Sequence, residues 1–138
     1  MNMHDPLASS PGYSLRRASN AMTVLLVKRL AAHDLRLVDA TVLVLIAENP
    51  QVTASAIGRA LDIQRANMVP LLKRLEDANL IERVPIDGKS QGLSLTPDGA
   101  KKTAEVRGTL EQFEAELLER IPAAHRSHLI PALDALWR

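Results

Sequence analysis

Apolar positions recur at helical spacing along most of the chain. From Tyr13 to about His33, the positions Leu15, Ala18, Met22, Leu25, Leu26, Arg29 and Leu30 fall three or four apart and predict an amphipathic helix. Val24 and Val27 widen this stripe, so the helix is expected to be buried on more than one side, in a core and in a subunit interface. A second helix is predicted from about Leu37 to Ala47. It should end by Asn49, because the residue before Pro50 is biased away from helical geometry. Thr53 is placed to cap a short helix from Ala54 to about Leu61. Asp62 and Ile63 make a tight connection. A further helix follows from about Gln64 to Ala78, with Met68, Leu71, Leu72 and Leu75 on its inner side and Asn79 as a left-handed end.

The period then changes to two. Val84 and Ile86 alternate within Leu80 to Ile86, and Leu93 and Leu95 alternate within Gly92 to Thr96. The polar segment Asp87-Gly88-Lys89-Ser90-Gln91 between them predicts a β-hairpin with a mobile tip. Pro85 lacks a ladder donor and places its strand at a sheet edge. Thr96-Pro97-Asp98 is a helix start, combining a cap, a proline at the first position and an acid in the first turn. That helix should run to about Arg120. Pro122 opens a last helix that ends near Trp137, bent at Pro131.

Composition narrows the class. The chain has 138 residues, 46% of them hydrophobic and 24% charged, which suits one compact domain. Apolar runs such as Thr41 to Ala47 are too short to cross a bilayer, so no membrane partner is expected. Met1 to Gly12 is polar, with Pro6 and Pro11, and is not a secretory signal. It reads as a flexible arm, residues 1–11, of a cytoplasmic protein. With no cysteine, disulfides, thiolate metal sites and cysteine nucleophiles are excluded. The three aromatics, Tyr13, Phe113 and Trp137, are too few for a module that stacks single-stranded bases.

A formal net charge of +1 says little about partners. Arg16, Arg17, Lys28, Arg29 and Arg36 nevertheless stand against one acid, Asp34, in and just after the first helix. Glu105, Glu111, Glu114, Glu116 and Glu119 make the late helix acidic. A local basic face can serve a double-stranded DNA binder, and ordinary solvated helix faces account for the same pattern.

The stretch Thr53 to Thr96 carries the functional signal. Two helices joined by a short turn, the second amphipathic and basic, lead directly into a hairpin. This is a winged helix-turn-helix in a mainly α (α+β) chain. A helix fits the major groove of DNA and reaches base edges from its N-terminal half, and a hairpin tip beside it can reach the neighbouring groove or backbone.

The sequence here resembles the MarR family of bacterial regulators. The resemblance runs through Leu61-Asp62-Ile63-Gln64-Arg65, Leu71-Leu72-Lys73-Arg74-Leu75-Glu76 and Leu80-Ile81-Glu82-Arg83. It continues through Asp87-Gly88-Lys89-Ser90 and Leu93-Ser94-Leu95-Thr96-Pro97-Asp98-Gly99, with Gly12-Tyr13-Ser14-Leu15-Arg16-Arg17-Ala18 matching the family's first helix. It implies a homodimer in which residues 12–36 and 97–138 form a helical dimerisation region and residues 37–96 the DNA-binding region. It also implies binding to a pseudo-palindromic double-stranded operator, usually as a repressor, with release by a small, often aromatic, anion. No other cofactor is implied.

By position in that family, Gln64, Arg65, Asn67 and Met68, with Lys73 further along, face the groove. The amides of Gln64 and Asn67 suit adenine, and Arg65 suits guanine or phosphate. Met68 and Lys73 stand equally well as ordinary residues of an amphipathic helix. Thr53 and Ser55, at a helix N-terminus, are placed to hold a phosphate, compatibly with Thr53 being a cap. At the wing, Lys89 and Ser90 are expected to contact DNA. Arg74 and Asp87 match family positions expected to tie the recognition helix to the wing; a surface ion pair worth roughly 0–1 kcal/mol is the other reading. Tyr13, Arg16, Arg17 and His33 are the candidate effector contacts, an arginine suiting a carboxylate. A dimer-interface ion pair or solvated charge accounts for the arginines as well.

Two departures from the family pattern bear on DNA readout. Pro70 falls inside the recognition helix and should bend it. Lys89 stands where arginine is usual and keeps the charge without the planar fork. They support the alternative of a winged-helix protein-interaction module without specific DNA binding; an activator is a further alternative. His125 and His128 share a helix face, but no acids cluster with them, so surface or interface histidines are expected rather than a metal site. No nucleophile elbow, phosphate-binding glycine loop or catalytic acid pair is present, which argues against an enzyme.

Overall fold

The structure, a computed structural model, describes residues 3–138. Six α-helices and a hairpin follow one another: α1 (Pro11–Ala31), α2 (Leu37–Glu48), α3 (Ala54–Leu61), α4 (Arg65–Asp77), β1 (Ile81–Pro85), β2 (Gln91–Leu95), α5 (Pro97–Arg120) and α6 (Arg126–Asp134). The mainly helical winged helix-turn-helix architecture agrees with the sequence reading.

Several boundaries differ. Helix α1 starts two residues early because Pro11 fits the first turn, where no donor is needed. It stops at Ala31, where the chain turns through Asp34 in the left-handed region (φ 57). Of the expected N-terminal arm, Met1 and Asn2 lie outside the described residues. Asp5 gathers the next residues into a turn against α1: its carboxylate accepts from the Leu7 amide at 3.0 Å and the Tyr13 hydroxyl at 3.1 Å. Gln64 is the N-cap of α4 rather than its first helical residue. The last helix is broken into a 3₁₀ turn, Ala123–His125, and α6, with Pro131 inside α6. The Arg126 guanidinium turns that corner, donating to the carbonyls of Leu118, Glu119 and Ile121 at 2.9–3.2 Å and satisfying the open end of α5.

The hairpin is antiparallel, with Ile81 opposite Leu95 and Pro85 opposite Gln91. Val52 adds an isolated bridge to Leu93 on the far side of β2, so β1 is the edge strand, as Pro85 requires. Close approach of that third segment needs Gly92: a Cβ there would lie 2.6 Å from the Gln51 carbonyl oxygen.

The core lies between α2, α4, the hairpin and the first half of α5. Leu30, Val42, Leu43, Ile57, Leu72, Leu75, Leu93 and Val106 are fully buried in it. Two polar devices hold the parts in register. Asp39, buried at the start of α2, accepts from its own Arg36 amide at 3.4 Å and from the Arg74 guanidinium of α4 at 2.7 Å. Thr96 caps α5 by accepting from the Gly99 amide at 2.9 Å, while its hydroxyl donates to the Asn79 carbonyl and its amide to the Leu80 carbonyl. Asn79 itself ends α4 in the left-handed conformation (φ 58), as expected.

The terminal helices are buried far less. Only Leu30 of α1 and no residue of α6 is buried within the chain. Leu15, Val24 and Val27 of α1, Leu118 of α5, and Ile130 and Leu133 of α6 present apolar surface outward. The Arg29 guanidinium crosses to Glu116 of α5 and lies over the Phe113 ring. It holds the Glu116 carboxyl below its ordinary pKa by direct hydrogen bonding.

Candidate nucleic-acid interface

Helices α3 and α4 cross at a turn made by Asp62 in the left-handed region (φ 53). Thr53 caps α3, its hydroxyl accepting from the Ala56 amide at 3.1 Å, and Ile57 and Gly58 turn inward. A Cβ on Gly58 would stand 3.0 Å from the Ile63 carbonyl, so the crossing is tight. In α4, Met68, Leu71, Leu72 and Leu75 fill the inner side, and Arg65, Ala66, Val69 and Lys73 are left on an outer stripe.

Between this pair and the hairpin tip lies an open cleft of about 1220 Å³. It brings together Thr53, Ser55, Gln64 and Arg65 from the helices with Lys89 and Ser90 from the wing. Arg59 and Arg83 also line it, giving four cations against two carboxylates, Asp62 and Asp87. The sequence reading missed both arginines. Arg59 lies one turn after Ser55 and donates to its hydroxyl at 2.9 Å, and Arg83 lies on β1 and donates to Glu76 of α4 at 2.7 Å. The signals were present: an i, i+4 neighbour of a candidate phosphate residue, and a strand position next to inward Val84.

Three expectations are corrected. Met68 is 3% exposed and falls on the inner stripe with Leu72 and Leu75; it lines the cleft but is almost wholly covered, so it offers a groove little surface. Arg74 does not reach the wing. Its guanidinium is bound by buried Asp39, so it ties the recognition helix to α2 instead. Asp87 is not its partner: that carboxylate accepts from the Lys89 and Ser90 amides at 2.9 and 2.8 Å and shapes the tip. Those two backbone hydrogen bonds, Lys89 first, hold the Asp87 carboxyl below its ordinary pKa. Asn67 is exposed but does not line the cleft, and Lys73, also outside it, pairs with Asp77 one turn on.

The candidate effector residues do not converge. Tyr13 and Arg17 are joined at the start of α1, the Arg17 guanidinium donating to the Tyr13 hydroxyl at 3.1 Å, with Arg16 exposed beside them. His33 lies past the other end of that helix, roughly 30 Å away at 1.5 Å per residue. Its Nε2 is 2.8 Å from the Thr109 hydroxyl of α5, and its ring lines a second open cavity of about 750 Å³. Arg36, Asp39, Arg74 and Lys102 line the same cavity, at the junction of α1, α2, α4 and α5. Among the described residues, no three His, Asp or Glu side chains gather as a metal site, and no helix is long and apolar enough to cross a membrane.

The model of the MarR family matches residues 33–90, from the end of α1 through the wing tip. A Thauera aromatica protein described as a transcriptional regulatory protein for the hcr operon is 32% identical over 95 residues. That match takes in 67% of this chain and spans 57% of the relative's length. The transcriptional repressor CouR, bound to a 23-mer DNA duplex, superposes with a TM-score of 0.90 at 27% identity, covering 100% of both chains. The chain belongs to the MarR family. CouR bound to p-coumaroyl-CoA is also similar, with a TM-score of 0.85 and 26% identity over 100% of this chain and 99% of that one. These MarR relatives are transcription regulators rather than enzymes.

Proposed function

We propose that this MarR-family chain is a transcriptional repressor that binds a pseudo-palindromic operator as a homodimer and is released by a small anionic effector. The cleft between α4 and the wing carries this reading, because it brings four cations and the amide of Gln64 together along one open surface. The DNA duplex bound to CouR supports the same assignment. The proposed work divides by chemistry. Arg65 and Gln64, at the N-terminal end of α4, read base edges; Asn67 takes the flank. Thr53 and Ser55 hold a phosphate at the start of α3. Lys89 and Ser90 meet the backbone or minor groove from the wing, and Arg59 and Arg83 add phosphate contacts. Lys73 is a peripheral phosphate contact. Arg74 acts indirectly, by fixing α4 against α2.

Residues 37–96 form the DNA-binding part, and residues 12–36 and 97–138 pair two copies through the outward apolar faces of α1, α5 and α6. The two recognition helices then meet half-sites about one helical turn apart. The effector site is the cavity beside His33, where Arg36 and Lys102 offer cationic groups to a carboxylate or acyl thioester; the p-coumaroyl-CoA held by CouR supports an anion of this kind. A protein with this role meets its operator in the bacterial cytoplasm and performs no catalytic step.

Titration of duplex DNA flanking the chain's own gene, by gel shift and anisotropy over a series of salt concentrations, tests the reading. Specific binding that weakens steeply with salt is expected, with Lys89→Ala lowering the log–log slope by about 1. Absence of any specific complex at low salt refutes it.

A further inference from the structure

Val69 is the large apolar residue that α4 leaves outside the core, at 61% exposure. Scattered apolar side chains on a surface are ordinary, so exposure alone decides nothing. Its surroundings do. Val69 lies one turn after Arg65 and one turn before Lys73, on the outer stripe of the helix. It lines the cationic cleft with Gln64 and Arg65. Exposed Ala66 and Pro70 lie three residues before it and one after, so the middle of the stripe carries no hydrogen-bonding side chain. Pro70 also supplies no amide to the Ala66 carbonyl. Of the other exposed large apolar residues, those of α1, α5 and α6 do not line this cleft, and Ile86 sits in the wing between the lining residues Pro85 and Asp87.

A stripe of cation, small apolar patch and cation has one apolar counterpart in the major groove, the C5-methyl group of thymine. We infer that Val69, supported by Ala66, is a specificity-determining residue that packs on a thymine methyl in each operator half-site, inward of the base read by Arg65. The inference rests on the DNA-binding reading above and adds to it a base, a position and an atom. Adenine or guanine at that point of the same strand offers Val69 only polar edges, and cytosine lacks the methyl.

Replacing thymine by deoxyuridine removes that methyl and leaves base pairing intact. The operator bound by the wild-type chain is scanned by single deoxyuridine substitutions, and each duplex is titrated against wild type, Val69→Ala and Val69→Thr. Burial of one methyl predicts about a 4-fold loss at one or two thymines per half-site, and about 15-fold with both half-sites changed. Val69→Ala binds the natural duplex more weakly and no longer distinguishes thymine from deoxyuridine there. Val69→Thr, which keeps one methyl, retains part of the discrimination. Circular dichroism confirms that these surface variants fold. Wild-type binding that is indifferent to every deoxyuridine overturns the inference and leaves the DNA-binding reading standing, as does a Val69→Ala protein with an unchanged deoxyuridine penalty. Failure of the wild type to bind any duplex overturns both.

Discussion

Gly99 offers the sharpest test of how the wing is joined to α5, because two physical arguments about it have opposite signs. It is the third residue of α5, and helix propensity alone says that alanine there gains about 1 kcal/mol. The fold says otherwise. A Cβ on Gly99 would lie 1.8 Å from the Leu80 carbonyl oxygen and 2.8 Å from its carbon. To restore ordinary contact the Leu80 backbone must retreat by about 1.5 Å, in an interior packed too closely to absorb it freely. That carbonyl accepts from the Thr96 amide at 3.1 Å, and the neighbouring Asn79 carbonyl accepts from the Thr96 hydroxyl at 2.5 Å. Losing both costs about 1 kcal/mol each, and the overpacking adds about 1–3 kcal/mol. After the propensity gain, Gly99→Ala is expected to destabilise by about 2–4 kcal/mol. Gly108→Ala is the control. It lies in the same helix, with nothing within 4 Å of its would-be Cβ, and should stabilise by up to about 1 kcal/mol. Urea unfolding followed by circular dichroism at one fixed protein concentration measures both, since the proposed dimerisation would make stability concentration-dependent. A Gly99→Ala midpoint equal to or above wild type refutes the steric argument.

Other consequences follow from single contacts. Arg74→Ala strands the buried Asp39 carboxylate and should cost about 1.5–3 kcal/mol in urea unfolding; the double variant Arg74→Leu/Asp39→Leu should recover part of that, and strictly additive losses would show the pair is uncoupled. Arg126→Ala leaves the Glu119 and Ile121 carbonyls at the end of α5 without a protein donor, and the Leu118 carbonyl with the Ile121 amide alone. It should weaken the dimer in sedimentation equilibrium while leaving the far-ultraviolet spectrum of α1–α5 intact, whereas an unchanged dimer would separate that corner from assembly. Asp87 titrates below the ordinary carboxylate value of 3.8, so its hold on the wing tip is complete above that pH and is lost as pH falls through the lowered value. The Lys89 and Ser90 amide shifts in NMR should therefore be flat from pH 5 to 8 and change only in acid, and a midpoint above 3.8 would contradict the geometry.

The helix-turn-helix was legible because each of its boundaries has a local chemical cause. Thr53 caps α3, Asn79 ends α4 in a left-handed turn, and Thr96-Pro97 opens α5, and all three stand where the pattern put them. The candidate site was legible less evenly. Gln64, Arg65, Thr53, Ser55, Lys89 and Ser90 meet at one cleft because helix order and hairpin position follow from local rules. For Met68 the two cues in the sequence disagreed, and the structure buries it while leaving it at the cleft wall. Position by motif put it outward, whereas its spacing from Leu72 and Leu75 put it inward, and the spacing governs packing. Arg74 was paired wrongly for a different reason. Its partner, Asp39, is thirty-five residues away in the chain, and nothing local reports a contact between α2 and α4. The same distance effect hid the Val52 bridge, a single residue with no strand pattern of its own.

The terminal helices show where periodicity alone stops being informative. The stripe on α1 was expected to serve both a core and an interface, and the structure divides it along its length. Leu30 enters the core at one end, whereas Leu15 and Val24 further back meet no other part of the fold closely enough to be buried. An apolar stripe at helical spacing means that the face gains by leaving water; it carries no information on whether the covering surface is in the same chain. In α6 the proline-broken helix buries nothing, yet it carries Ile130 and Leu133 on the outside and is anchored at its start by Arg126. A segment that is anchored, apolar and uncovered within one chain is best explained by a second copy. The proposed dimer would make the apolar pattern of both termini consistent with the rest of the sequence, and would set the distance between the two clefts proposed to meet the operator.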